Sequence, residues 1–369
     1  MRDLEGKQHW MLYEGGRAAA AAAHAGRFES LGLALPEKRL TTDELLRSTK
    51  HSTGIDLEKL TGIRERRICS EDEDSFTLAV AAARDCLAHS AYGARDLEML
   101  VSCSISKNKG GVRHRLEPPL SLSIKEAIGA NQAKSFDISN ACSGMMTGVF
   151  VLNDFIRRGA IRCGMVVSGE YISNLGANAA KKIRSVLSPQ LASLTLGDAG
   201  VAAIVARAAE GSRGIRVVAF TTLSEHSRLC VGVPSSVGPG ASMYTDARAI
   251  HRVTLEDAPA LLADVIDQSG LDLGDIDYAI PHQTSKRAIE KGARELAERL
   301  GFRPRHFVDN IAERGNTATT THFVALYEFL EKRAFAAGDT IALISVASGL
   351  EVGVLVFEMD ELMERYGHH

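Results

Sequence analysis

Residues 135–159, SFDISNACSGMMTGVFVLNDFIRRG, hold an apolar strand that stops at small residues, a cysteine after the stop, and apolar side chains at helical spacing at Met145, Val149, Leu152 and Ile156. A strand that feeds a helix through a short turn is the basic joint of an α/β protein. The same alternation runs outward in both directions. Short runs rich in valine and isoleucine, bounded by glycine or small polar residues, predict buried strands over 28–35, 97–105, 133–139, 163–170, 201–207, 215–222, 276–282, 339–347 and 352–359. Helical periodicity predicts helices over 74–91, 144–157, 255–268, 285–300 and 319–336. Gly197, Asp198, Ala199 and Gly200 in one half, and Ser348, Gly349 and Leu350 in the other, stand in similar places near the closing strands, which points to internal duplication.

Composition narrows the function classes. The 369 residues are 45% hydrophobic, enough for one or two packed cores, and 43 Lys and Arg against 46 Asp and Glu leave a formal net charge of -3. That balance removes the general electrostatic case for a nucleic-acid binder and leaves only local basic patches. The 6 cysteines are scattered, with no CxxC pair, so neither a disulfide framework nor a structural zinc site is expected. The first 26 residues contain an alanine run, Ala18 to Ala23, preceded by Glu14 and Arg17. They read as a partly helical extension that packs on a partner subunit, neither a signal peptide nor a membrane span. The closing Gly367, His368 and His369 are set aside as a tail.

Three side chains stand at element ends. Cys142, at the strand-to-helix turn, faces unpaired backbone amides and the positive end of a helix, which favour the thiolate. Gly144 behind it permits close approach of a carbonyl or another backbone. The competing reading is a small core residue. His282, in DYAIPHQTSKRAIEKGARELAERLG (277–301), follows an apolar strand and precedes an amphipathic helix, where loops carry function. Taken alone it reads as a satisfied structural histidine. Asn316, in ERGNTATTTHFVALYEFLEK (313–332), sits in a Gly-Asn-Thr turn that alone reads as a helix cap. Together the three suggest a thiolate nucleophile and two donors able to hold a thioester carbonyl or stabilise an enolate. Papain-like proteases use a similar trio, but here the cysteine is mid-chain and its ACSGM flanks lack the tryptophan-bearing string.

The strings ALPEKRLTTDELL (34–46) with LTGIRERR (60–67), DISNACSGM (137–145), LTLGDAGVAAIV (194–205), IPHQTSKRAI (280–289), and RGNTATTTHFVALYEFL (314–330) with SVASGLEVG (345–353) occur in the order found in ketoacyl synthase III. From about Arg27 onward the chain resembles that thiolase-fold family of condensing enzymes. The resemblance implies a five-layered α-β-α-β-α pseudo-duplicated unit working as a cytoplasmic homodimer. It divides the chain into an extension (1–26), a half bearing the nucleophile (27–210) and a half bearing the histidine and asparagine (211–369). It implies that Cys142 is acylated, that His282 and Asn316 support attack by the second substrate's carbanion, and that the backbone amides of Cys142 and Ser348 form the oxyanion hole. Gly197 and Asp198 would belong to a structural turn near the site. Neither metal nor redox cofactor is implied.

Two departures from the fatty-acid members follow from the same comparison. Asp56 and Leu60 stand where those members carry the tryptophan and arginine that grip the adenine of coenzyme A, so acyl carrier protein, coenzyme A thioesters or both are the expected donors. Lys286 and Arg287 open the helix on which the family docks its acidic carrier, although the pair also fits an ordinary solvated helix start. In RHRLEPPLS (113–121), Glu117 replaces an aromatic residue that reaches the neighbouring subunit's pocket. That glutamate, like the string VVSGEYISN (166–174), resembles the head-to-head condensing enzymes of bacterial olefin biosynthesis, in which a glutamate serves as base. The competing reading is an exposed glutamate beside a Pro-Pro turn. The expected reaction is a Claisen condensation of two acyl thioesters in a specialised pathway. Acyl transfer to an alcohol or amine is the alternative, against which Asn316 weighs, and a non-catalytic partner subunit is the other, against which Cys142 weighs.

Overall fold

The computed structural model describes residues 9–13, 24–51, 54–209 and 214–367. Two sheets share a matching design of five strands each. The first sheet contains β1 (Gly26–Ala34), β2 (Met99–Ser102), β3 (Lys134–Asp137), β4 (Cys163–Glu170) and β5 (Ala199–Arg207), in the spatial order β1-β5-β4-β2-β3. The second contains β6 (Ile215–Thr222), β7 (Tyr278–Pro281), β8 (His306–Phe307), β9 (Thr340–Ala347) and β10 (Glu351–Glu358), in the order β6-β10-β9-β7-β8. In each sheet the first two pairings are antiparallel and the last two parallel. Two copies of one strand pattern thus make up the duplicated thiolase-type unit.

Six helices supply the other layers: α1 (Ser75–Ala88), α2 (Leu120–Ile128), α3 (Gly144–Arg157), α4 (Ala247–Ser269), α5 (Lys286–Leu300) and α6 (Thr321–Glu331). The period of 2 along each strand sorts its residues between layers. In β6, Val218 and Phe220 join the central core with α3 and α6, while Val217 and Ala219 join the outer core with α4 and α5. In the first sheet, Val201, Ala203 and Val205 face the centre, and Ala202, Ile204 and Ala206 face α1 and α2. Burial on both faces explains why these strands read as unbroken apolar runs. The layers are α1/α2, first sheet, α3/α6, second sheet, α4/α5. Phe28 of β1 meets Phe323 of α6 and Phe357 of β10 edge-on, with ring centroids 5.9 and 4.9 Å away. Such pairs contribute about 0.5–1.5 kcal/mol each beyond area burial and here tie both sheets to the middle layer.

The expected strands and helices are present, with some differences. Helix α4 begins at Ala247, well before Leu255, because the Asp246 side chain caps the Ala249 amide, and it runs through Pro259. Helix α2, the two-residue strand β8, a helix over Ser173–Ala180 and a hairpin of Cys230–Pro234 with Ala241–Thr245 carry too short a pattern to stand out in sequence. Of the amino-terminal extension, His9–Tyr13 forms a strand antiparallel to β6 on the second sheet's edge. The alanine run lies outside the described residues. Among the described residues no helix is long and apolar enough to cross a membrane.

Candidate active site

Cys142 occupies a single 3-10 turn, Ala141–Ser143, between β3 and α3. Ala141 takes a φ of 43°. This left-handed conformation costs a residue with a Cβ on the order of 1–3 kcal/mol and persists only where the surroundings enforce it. Four contacts do so. Ser143 Oγ lies 2.8 Å from Ser345 Oγ on β9. Asn140 donates through Nδ2 to Glu351 Oε1 and to Thr147 Oγ1, each at 2.8 Å. The Met145 amide, in the first turn of α3, donates to Thr319 Oγ1 at 2.9 Å. A Cβ on Gly144 would stand 2.8 Å from the Cys103 carbonyl oxygen and 2.9 Å from Thr319 Oγ1, so the helix start is fitted to a residue without one.

Thr319 belongs to the loop that carries Asn316. The Asn316 amide donates to Thr195 O at 2.9 Å, its carbonyl accepts from the Gly197 amide at 3.0 Å, and its side-chain Oδ1 accepts from the Ala318 amide at 2.9 Å. Asn316 therefore precedes a second 3-10 turn, Ala318–Thr320, and is fixed at both backbone and side chain. The turn at Gly197 and Asp198 does structural work here. Buried Asp198 accepts from the amides of Cys69, Ile172 and Ser173, each at 2.8 Å. Ala318 and Leu196 pack with Ile172 in a small apolar cluster against which Cys142 rests.

His282 follows β7 and donates its backbone N–H to Ile344 O at 2.8 Å, one residue before the Ser345 that holds the cysteine turn. The adjacent residues Ile344 and Ser345 of β9 thus anchor both segments. His322, in the first turn of α6, was not singled out in the sequence. Its Nε2 reaches the same Ile344 carbonyl at 3.0 Å, and its ring centroid is 5.7 Å from that of His282. Burial lowers the His282 pKa to about 3, with the neighbouring His322 adding to the effect, and burial lowers His322 to about 4. Both rings are neutral near pH 7.

The thiol does not match the thiolate expectation. Cys142 keeps part of its surface accessible, but its sulfur lies deep among protein atoms. Burial pushes its pKa up to about 12, with smaller contributions from Cys230 and Glu170. Hydrogen bonds from the backbone N–H groups of Cys142 and Ser348 act in the opposite direction and do not overcome burial. Two further acids flank the turn. Glu170 is fully buried and accepts from the Ile105 amide at 2.7 Å and from Ser106 Oγ at 2.8 Å, yet burial raises its pKa to about 7. Glu351, held by Asn140, is likewise raised by burial.

The remaining expected residues lie elsewhere on the chain. Lys286 and Arg287 are exposed at the start of α5, where the Ser285 side chain caps the Ala288 amide. Lys286 lines an open groove of about 770 Å³ together with Asp56, Leu57, Gly62 and Arg64. Asp56 caps the short helix Leu57–Thr61. Glu117 is exposed beside Leu116, whose relative exposure is 82%, and this single chain does not bring it to the Cys142 turn.

The family model described as 3-oxoacyl-[acyl-carrier-protein (ACP)] synthase III matches residues 136–224, and its carboxy-terminal counterpart matches 266–359. A beta-ketoacyl-[acyl-carrier-protein] synthase III of Symbiobacterium thermophilum is 29% identical over 335 residues, covering 88% of this chain and 95% of the relative. That of Bacillus pumilus is 27% identical over 333 residues, covering 88% and 96%. Among solved structures, an OleA variant of Xanthomonas campestris superposes with a TM-score of 0.80 at 22% identity, covering 92% of this chain and 99% of the other. The priming beta-ketosynthase of the R1128 polyketide pathway gives 0.78 at 24%, covering 91% and 97%. These last two likenesses are of fold.

Proposed function

The chain belongs to the ketoacyl synthase III family, and on that premise we propose that it condenses two acyl thioesters through an acyl-enzyme on Cys142 to give a β-keto product. The observation that carries this reading is the approach of two backbone N–H groups, those of Cys142 and Ser348, to the Cys142 sulfur. A thioester carbonyl carbon bonded to that sulfur puts its oxygen within reach of the same two donors. Each oxyanion donor is worth roughly 3–4 kcal/mol of transition-state stabilisation. In the first step the sulfur attacks the thioester carbon, a new S–C bond forms, the old C–S bond breaks and a thiol leaves. In the second, another thioester loses CO2 or a proton from its α-carbon. Its carbanion forms the C–C bond, and Cys142 departs as thiolate. Asn316, fixed through Oδ1, presents its Nδ2 as a donor to the second thioester's carbonyl, and neutral His282 stands beside the reacting atoms.

For the donor we propose an acyl carrier protein, with coenzyme A thioesters as the other substrate class. Lys286 and Arg287 open α5, and Lys291 continues along it, facing Arg248 and Arg252 of α4 across a groove of about 350 Å³ that Glu256 and the paired Glu295 and Arg299 also line. The excess of basic side chains at the start of α5 attracts an acidic partner. We further propose a homodimer. The open edge strand β3 shows Phe136, and its surroundings show Leu116, Leu122 and Ile105, all exposed in the single chain. An uncovered strand edge with apolar side chains calls for a partner, and a second copy placed there receives Glu117 near its own site. Glu117 then serves as the base for a condensation without decarboxylation.

Intact-protein mass spectrometry after incubation with acyl thioesters tests the reading. An acyl adduct is expected on the wild type and none on Cys142→Ala; an undiminished adduct on the variant overturns the assignment, and no adduct on the wild type favours a non-catalytic subunit. Glu117→Ala is expected to keep the adduct and lose condensation of non-malonyl thioesters, and an equal condensation rate returns Glu117 to a surface role.

A further inference from the structure

The two amides that approach the Cys142 sulfur come from turns far apart in sequence, and one side chain belongs to the frame of both. Ser348 lies in the turn between β9 and β10, which the pairing of Ala347 with Glu351 closes. Glu351 also pairs with Thr222 at the end of β6, and the Leu223 amide donates to Leu350 O at 2.7 Å, so the turn is held from its other side as well. The Glu351 side chain is buried, at 8% exposure, and reaches across the sheet end to the cysteine turn. Its Oε1 accepts from Asn140 Nδ2 at 2.8 Å, and its Oε2 accepts from Thr222 Oγ1 at 3.4 Å. Asn140 stands two residues before Cys142, and its Nδ2 also donates to Thr147 Oγ1 of α3 at 2.8 Å. Both hydrogens of that amide are therefore spent, which fixes its plane. Hydrogen bonds from Asn140, Ser143 and Thr222 oppose the upward pull of burial on the Glu351 pKa, so side chains before and after Cys142 converge on one carboxyl.

We propose that Glu351 is a positioning residue that sets the spacing between the N–H groups of Cys142 and Ser348 by joining the turn that carries one to the turn that carries the other. The proposal rests on the ketosynthase reading for the role of those two groups as an oxyanion hole. A donor stabilises the tetrahedral oxygen only from about 3 Å, and a misplacement of about 1 Å costs on the order of 100-fold in rate. A backbone amide has no side chain to aim it, so its frame must do so. Two struts make that frame. Ser143 Oγ meets Ser345 Oγ at 2.8 Å and fastens the cysteine turn to the chain before Ser348. Asn140 and Glu351 fasten it to the chain after Ser348. The pair 140 and 143 thus brackets one amide, and the pair 345 and 351 brackets the other. Glu351 acts through the backbone and exchanges no proton in either step.

Isotope-edited infrared spectra of the acyl-enzyme, formed on the full chain from a thioester with 13C at its carbonyl, read the two donors, because hydrogen bonds to a carbonyl oxygen lower its stretching frequency. Relative to wild type, the band is expected to move to higher frequency in Glu351→Leu and to stay in place in Glu351→Gln, whose side-chain oxygen still accepts from Asn140. The rate of adduct formation at saturating thioester is expected to fall about tenfold or more in Glu351→Leu and to stay within about threefold of wild type in Glu351→Gln, with the half-saturating concentration unchanged in both. A band that does not move in Glu351→Leu overturns the proposal, as does equal loss of rate in both variants. Where Glu351→Leu does not fold, Asn140→Ala breaks the same strut from its other end and is read by the same band and rate. A wild type that forms no adduct sinks the ketosynthase reading and the proposal with it; a wild-type adduct whose band is indifferent to loss of the strut sinks the proposal alone.

Discussion

The two halves of this chain share a strand pattern and differ in what they place at its ends. Each middle-layer helix begins with a 3-10 turn whose first residue is an alanine at positive φ, Ala141 at 43° before α3 and Ala318 at 54° before α6. Cys142 in one turn corresponds to Thr319 in the other. After the second strand of each half, the Cys103 amide donates to Val167 O and the His282 amide to Ile344 O, both at 2.8 Å. Cys103 corresponds to His282, and Met145, next along α3, corresponds to His322 on α6. One half closes its joint with an apolar pair in the core, the other with two buried imidazoles. A duplicated scaffold has thus been made chemically lopsided, with the proposed attacking group from one copy and two buried imidazoles from the other.

Exchanging the consequences of matched substitutions tests that lopsidedness. The largest contrast is expected between His282→Ala and Cys103→Ala. The first should slow condensation by about 100-fold or more. The second should leave the rate within about threefold and lower stability to urea by about 1 kcal/mol. A Cys103→Ala enzyme that also loses condensation would show that both joints take part in chemistry. Asn316→Ala should retain the adduct and reduce condensation by about 100-fold, seen as accumulation of acyl-enzyme; parallel loss of both steps would place Asn316 in acylation.

Smaller effects probe the fit of the turns. Gly144 corresponds to Thr321, which bears a side chain, so Gly144→Ala breaks a real asymmetry: the added Cβ meets the Cys103 carbonyl oxygen at 2.8 Å. It should cost about 1–3 kcal/mol in urea unfolding, and no change would mean the α3 start is free to shift. The smallest effect concerns Glu170, which corresponds to Ala347 in the other half. Its folded pKa of about 7 lies above the unfolded carboxylate value, so the folded state holds the proton more tightly. Stability should therefore fall as pH rises from about 4.5 to about 7, and remain reduced above that window. Melting temperature against pH should slope less in Glu170→Gln, and an unchanged slope would assign the effect to another group.

Legibility of these features in the sequence follows sequence distance. The long inner strands are plain because they are buried on both faces, as IRVVAFTT (215–222) shows, and Cys142, His282 and Asn316 stand out because each falls where an apolar pattern ends. The supports do not stand out. Thr319 clasps Met145 across 174 residues, Ser345 meets Ser143 across 202, and Asn140 meets Glu351 across 211. Nothing local to any of these positions signals its partner. His322 hides for a different reason: on an apolar helix face a histidine looks like one more core residue until its ring is seen beside His282. The state of the thiol is not legible either, because a helix terminus is visible in sequence and the depth of burial is not.

The clasp between Thr319 and the first turn of α3 also sets a schedule. Ribosomes deliver the nucleophile's turn long before Thr319 and Ser345 exist to close it. Through that interval the growing chain carries a cysteine whose cover has yet to be synthesised, open to peroxide and to stray thioesters. Its partners arrive last, so the reactive centre and its shield are completed in a single late act of assembly.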